Sequence, residues 1–180
     1  MLIAYRHPKP IGAQGLCVGA RTDLAVDPRK AKRLAHRIRA CQRREALARE
    51  VWTSDLRRAA DVGRWLRRWG WRHLIDARLR ELDFGAWDGR AWDAIAEPEI
   101  RAWSRALADV RPGGDGETVG ALVDRVVAVC AAAEGRRMSL LVTHGGWLSA
   151  LKWRMLQAGE RVDAANWPSA PAYAEAVRCS

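Results

Sequence analysis

The sequence predicts an α/β fold, a three-layer sandwich in which helices cover both faces of a mainly parallel sheet. Two observations carry that prediction. Short apolar runs alternate with longer segments of helical periodicity, in the order β-α-β-α-β-α-α-α-β-α-β. Such alternation builds parallel sheets joined by crossover helices. The chain also has 180 residues, 49% hydrophobic and 29% charged, a globular balance suited to one domain over residues 1–180. No internal repeat, low-complexity tract or linker interrupts it.

Leu2-Ile3-Ala4-Tyr5 is an apolar run that suits a buried strand, ended by Arg6-His7-Pro8. Residues 8–27 hold three Gly, two Pro and little periodicity, which predicts a long loop. Asp27-Pro28 is a helix start, with Asp as N-cap and Pro at the first helical position. Leu34, Ala35, Ile38 and Ala46 then recur at helical spacing to about Ala48. Val51-Trp52-Thr53 predicts a second strand, and Ser54 a cap for a helix ended by Gly70. Residues 72–77 form a third strand candidate and Leu79 to Arg90 a loop. Residues 91–109 have a helical pattern interrupted at Pro98. After the breaker at 111–116, a helix is expected over Thr118 to Ala133, with Leu122, Val123, Val126, Val127 and Cys130 on one side. Ser139 to Thr143 is the strongest strand signal. It ends at His144-Gly145-Gly146, and a helix follows to about Gln157. Tyr173 to Val177 is the last strand candidate.

Composition narrows the function classes. Lys and Arg total 31 against 21 acids, a net charge of +10, and 27 of the basic residues are Arg. An excess of positive charge favours anionic partners, whether phosphate esters or nucleic acid. No run approaches the roughly 20 apolar residues of a membrane helix. Met1 to Tyr5 shows no basic n-region or cleavage site, so no secretory signal is expected. Cys17, Cys41, Cys130 and Cys179 stand far apart without a C-x-x-C pair, which argues against a zinc knuckle. Reduced thiols in a cytoplasmic protein are the expectation.

Two of the four histidines, His7 and His144, directly follow predicted strands. In an open α/β sheet, ligands bind outside the carboxyl ends of the strands, so these two could share a crevice although 137 residues separate them. Arg6 precedes His7, and Pro8 biases His7 towards an extended backbone. Ser54-Asp55-Leu56-Arg57-Arg58-Ala59 lies at another strand-to-helix junction. Arginine forks match phosphate oxygens, and a helix N-terminus adds backbone N–H donors. Two His and two Arg with no metal motif describe a phosphate pocket with a histidine nucleophile. His36, among basic residues, suits a solvated helix face, and His73 a structural role. Trp65, Trp69 and Trp153 suit helix packing, whereas Trp87 and Trp147 are candidates to border the pocket.

Arg6-His7 after a first strand resembles the signature of the histidine phosphatase superfamily, the phosphoglycerate mutase-like fold. Four further blocks are similar in family order: Thr53 to Ala59, Leu79 to Gly89, Pro112 to Thr118 and Val142 to Gly146. The resemblance implies that His7 is the phosphorylated nucleophile and that Arg6, Arg58 and His144 hold the phosphoryl oxygens. It also implies that Glu81 protonates the leaving oxygen and then activates water. Arg58 rather than Arg57 is expected in the pocket, because adjacent helical residues point about 100° apart. Pro8 stands where most members have Gly, Lys9 where an acid is common, and Ala25-Val26-Asp27-Pro28 replaces the usual helix start. These departures bear on substrate more than on reaction. Residues 15–23 resemble a segment of α-ribazole phosphatases, with Arg21 displaced by one position. Arg21 and Gly145 are expected to contact substrate, and on the resemblance of residues 15–23 α-ribazole phosphate in cobalamin biosynthesis is one substrate.

The resemblance implies a metal-independent phosphomonoesterase with no cofactor, acting on a small-molecule phosphate ester. No nucleic-acid or membrane partner is expected, and a homodimer is compatible with it. A mutase-type phosphotransferase, a basic nucleic-acid-binding protein with a vestigial pocket, and a phosphate-sensing pseudo-enzyme are the alternatives.

Overall fold

The computed structural model describes residues 1–136, 138–156 and 161–179, with the side chain of Arg136 left aside. Among the described residues five strands form one sheet: β1 (Leu2–Arg6), β2 (Glu50–Thr53), β3 (Arg72–Ile75), β4 (Leu140–Thr143) and β5 (Ala176–Cys179). Their order is β3-β2-β4-β1-β5, and only β5 runs antiparallel. The described residues also form the α-helices α1 (Pro28–Arg44), α2 (Arg57–Arg68), α3 (Glu97–Arg105), α4 (Val119–Arg136) and α5 (Gly145–Leu156). The expected α/β sandwich, with helices on both faces, is the observed architecture.

The strands split the core by alternation. Ile3 and Tyr5 of β1, with Leu140 and Val142 of β4, pack against α1 and α2. Leu2 and Ala4, with Leu141, pack against α4 and α5. Burial on both faces explains why β1 and β4 are continuously apolar rather than alternating. No helix among the described residues is long and apolar enough to cross a membrane. Cys17, Cys41 and Cys130 are buried free thiols.

Several expectations shift. Asp27 does cap α1, accepting from the N–H groups of Arg29 and Lys30, but the helix stops at Arg44. Ser54 does not cap α2; Asp23, from the first loop, accepts instead from the N–H of Arg57 at 2.7 Å. Pro98 sits in the first turn of α3, where its missing N–H costs nothing, so it starts that helix instead of breaking one. Residues 92–94 form a separate 3-10 turn. Val127 faces outward and Val129 is buried in its stead. The last strand begins at Ala176, which leaves Tyr173 outside the sheet. The expected end of α5 at Gln157 lies outside the described residues.

The register places the chemistry. Arg6 pairs with Thr143 across β1 and β4, and Thr53 pairs with Val142 across β2 and β4. His7, His144 and Ser54 therefore emerge from three neighbouring strands on one carboxyl edge, at the crossover where β4 lies between β1 and β2.

Candidate active site

Strands lie about 4.8 Å apart, and the His7 and His144 rings, leaving two such strands at the same level, have centroids 4.9 Å apart. Both are buried. His7 Nδ1 lies 2.7 Å from the carbonyl oxygen of Pro8. A carbonyl only accepts, so Nδ1 carries the ring hydrogen and Nε2 keeps its lone pair. Burial, first, and the charges of Arg58 and Arg6 hold the His7 pKa down to about 3 against the Pro8 bond. The imidazole is thus neutral at neutral pH.

His144 has the opposite tautomer. Its Nδ1 accepts from Arg58 Nε at 3.1 Å, because a guanidinium only donates. Its Nε2–H is then left to donate to Ser54 Oγ at 2.7 Å. Burial and the neighbouring Arg58 and His7 push its pKa well below the ordinary histidine value.

Arg58 projects inward from the first turn of α2 and is 1% exposed, whereas Arg57 faces solvent. Its Nη1 donates to the Thr22 carbonyl at 2.6 Å and its Nη2 to the Gly19 carbonyl at 2.8 Å. Both acceptors come from the first loop, which Asp88 ties down by accepting from the N–H groups of Gly19 and Arg21 and the hydroxyl of Thr22. Arg6 donates through Nη1 to the Pro171 carbonyl at 2.7 Å, and its guanidinium carbon lies 4.0 Å from the Tyr173 ring centre. Its buried Nε has no hydrogen-bond partner among the described residues, a donor suited to an anion beside His7. The Tyr173 ring also lies 5.7 Å from that of His7.

Glu81 is anchored at the start of α5. Its Oε1 accepts from the N–H of Gly146 at 2.9 Å and from that of Leu82 at 3.0 Å. The backbone that carries it is held from three sides. Thr143 Oγ1 donates to the Leu79 carbonyl, and Trp147 Nε1 to that of Arg78. Arg125 of α4 donates to the carbonyls of Arg78 and Arg80 at 2.6 and 2.9 Å while it grips Glu117 with two nitrogens. A cleft of about 350 Å³ adjoins Glu81, lined also by Arg80, Asp83, Arg111 and Arg125.

Arg6, His7, Arg58 and His144 therefore converge on one carboxyl edge. Arg21 and Gly145 have other contacts. Arg21 is bound to Asp83 at 2.8 Å and to Asp115 at 2.9 Å, so its charge is matched by carboxylates of this chain. Gly145 serves close packing: a Cβ there would stand 3.1 Å from the Arg6 guanidinium. Trp147 and Trp87 are buried core residues and do not border the pocket. His73 is structural: Thr53 Oγ1 lies 2.8 Å from its Nε2, and burial, then Arg67 and Arg64, lower its pKa to about 4. Sequence reasoning missed Ser54 as a partner of His144, Tyr173 beside Arg6, and the supports Asp88 and Arg125. Among the described residues no three His, Cys, Asp or Glu side chains come together in a way that could hold a metal ion.

Comparison with known proteins bears on this geometry. The family model of the histidine phosphatase superfamily (branch 1) matches residues 2–170. Glucosyl-3-phosphoglycerate phosphatase of Mycobacterium tuberculosis is 33% identical over 132 residues, 66% of this chain and 57% of that protein. A probable phosphoglycerate mutase, GpmB, of Citrobacter koseri is 42% identical over 78 residues, 39% of this chain and 35% of that protein. The chain thus spans about a third to somewhat over half the length of these relatives. The solved native structure of a mycobacterial glucosyl-3-phosphoglycerate phosphatase superposes with a TM-score of 0.77 at 25% identity, covering 97% of this chain and 87% of that one.

Proposed function

The chain belongs to the histidine phosphatase superfamily, and from that membership we propose that it hydrolyses a small-molecule phosphate monoester through a phosphohistidine on His7. The observation that carries the proposal is the state of His7. Its Nδ1–H is committed to Pro8, its Nε2 lone pair is free, and the ring is neutral between two guanidinium groups.

His7 Nε2 attacks phosphorus as the ester P–O bond breaks. The leaving oxygen takes a proton from Glu81, which gives an alcohol and phosphohistidine. The Glu81 carboxylate then removes a proton from water, whose oxygen attacks phosphorus, and His7 leaves with its lone pair restored. Splitting one hard displacement into two makes each easier, and the remaining work is stabilisation of charge on the equatorial oxygens. Arg6 and Arg58 supply fixed positive charge for it.

The substrate follows from the relatives in class only. A phosphoglycerate-type or sugar-linked phosphate ester fits the names of the proteins this chain resembles. The α-ribazole reading of residues 15–23 finds no support among them, and Arg21, its distinguishing residue, is held by Asp83 and Asp115. The test is a screen in EDTA of p-nitrophenyl phosphate, 3-phosphoglycerate, glucosyl-3-phosphoglycerate and α-ribazole phosphate against the wild type and His7→Ala. Hydrolysis that the substitution abolishes supports the proposal. Transfer to a second acceptor instead of water would favour the mutase reading.

A further inference from the structure

Positive charge is unevenly placed. Fifteen of the 31 Lys and Arg lie between residues 28 and 72, against four of the 21 acids, an excess larger than that of the whole chain. Within that segment a cavity of about 210 Å³ is lined by Arg39, Gln42, Arg43, Arg49, Trp69 and Trp71. Among the described residues no carboxylate lines it. The two acids between residues 28 and 54 are engaged elsewhere: Glu45 with Arg44 and Arg178, Glu50 with Arg72 and the Trp52 indole. Among the described residues no carboxylate pairs with the side chain of Arg39, Arg43 or Arg49. Arg39 is turned over the Trp69 ring, 5.6 Å from its centre, and Gln42 is fixed by its amide on the Leu47 carbonyl.

Three guanidinium groups in one small cavity repel one another, and an anion converts that repulsion into attraction. We propose that this cavity is a second anion site, which takes the diphosphate or polyphosphate group of a small molecule. Arginine forks bind such groups bidentately. The site is separate from His7. Arg49 and Trp71 immediately precede β2 and β3, whereas His7, Ser54 and His144 follow the ends of their strands. At roughly 3.3 Å per residue, a four-residue strand places about 13 Å between the two edges.

The experiment is calorimetric titration of pyrophosphate and of ADP, at low salt, into the His7→Ala protein, which separates this site from phosphoryl transfer. Binding to His7→Ala is expected, weakened roughly tenfold by each of Arg43→Ala and Arg49→Ala added to it. Pyrophosphate and ADP binding alike places recognition in the phosphates, and ADP binding tighter adds a contribution of the organic part. Both guanidinium groups are exposed, so in the otherwise wild-type chain either substitution should leave the melting temperature and p-nitrophenyl phosphate hydrolysis unchanged. No binding of either probe to His7→Ala, or binding indifferent to Arg43 and Arg49, overturns the site. An oligonucleotide binding far more tightly than ADP overturns the small-ligand reading. Loss of hydrolysis in His7→Ala bears on the proposed function alone and not on this site.

Discussion

Replacing Gly146 by alanine isolates the role proposed for Glu81. A Cβ built on Gly146 would stand 2.5 Å from Glu81 Oε1, and ordinary contact begins at 3.4 Å, so the carboxylate must move by about 0.9 Å. Gly146 lies in the first turn of α5, keeps its N–H as alanine, and has no positive φ, so the helix itself tolerates the change. A misplacement of about 1 Å can cost on the order of 100-fold when a reacting group must be aligned, within the roughly 10²–10⁴-fold that a general acid contributes. The expected loss in kcat/KM is therefore about 100-fold on an alkyl phosphate, whose alkoxide leaves only with a proton. On p-nitrophenyl phosphate kcat/KM should hardly change, because nitrophenolate leaves unprotonated. Dephosphorylation, which needs Glu81 as base, should slow in both cases. Stopped-flow measurement should then show a burst of nitrophenolate followed by a slow steady state. Unchanged rates on the alkyl ester, or equal losses in kcat/KM on both substrates with no burst, would show that Glu81 is not the proton donor.

Three further expectations follow from the same contacts. Arg125→Ala frees the carbonyls of Arg78 and Arg80 and should reproduce the leaving-group dependence of Gly146→Ala, together with a stability loss of about 1–3 kcal/mol in urea unfolding. Equal losses in kcat/KM on both substrates would reduce Arg125 to a scaffold residue. Asp88→Ala releases the loop whose Gly19 and Thr22 carbonyls hold Arg58; inhibition by vanadate should weaken roughly tenfold, and undiminished inhibition would sever that link. The buried histidines make the fold acid-sensitive. With pKa values lowered to about 3 for His7 and about 4 for His73, the unfolded chain takes up protons below pH 6.5 that the native chain refuses. Stability present above pH 6.5 is therefore lost as pH falls towards 4, by up to about 1.4 kcal/mol per pH unit for each such histidine. Urea midpoints at pH 7 and pH 5 measure this, and His73→Gln should reduce the slope.

His7, His144 and Arg58 were readable in the chain because they sit where an apolar run ends or a helix begins, whereas Glu81, in the loop after β3, was reached only through the family resemblance. His7 and His144 follow the two most buried strands, and the inward turn of Arg58 follows from helical spacing. What could not be read depends on partners distant in sequence. Ser54 looks like a helix cap because any serine between a strand and a helix does. Only the register of β2 against β4 turns it to His144, 90 residues away. Tyr173 is a β-former by type, but the chain crosses Ala174 with φ of 64°, and pairing begins only at Ala176. Asp88 and Arg125 are common surface residue types whose roles exist only once the first loop and α4 are in place. Arg21 shows the converse: its neighbours along the chain suit a substrate contact, whereas its neighbours in space are the carboxylates of Asp83 and Asp115.

The most direct test is to trap phosphate on the protein. Wild-type protein quenched during turnover of labelled phosphate ester should carry one acid-labile, alkali-stable phosphate per chain, with the phosphorus bound to Nε2 of His7 by nuclear magnetic resonance, and His7→Ala should carry none. Phosphate retained by His7→Ala, a label on another side chain, or hydrolysis by that variant at the wild-type rate would show that the neutral imidazole at the end of β1 is not the nucleophile.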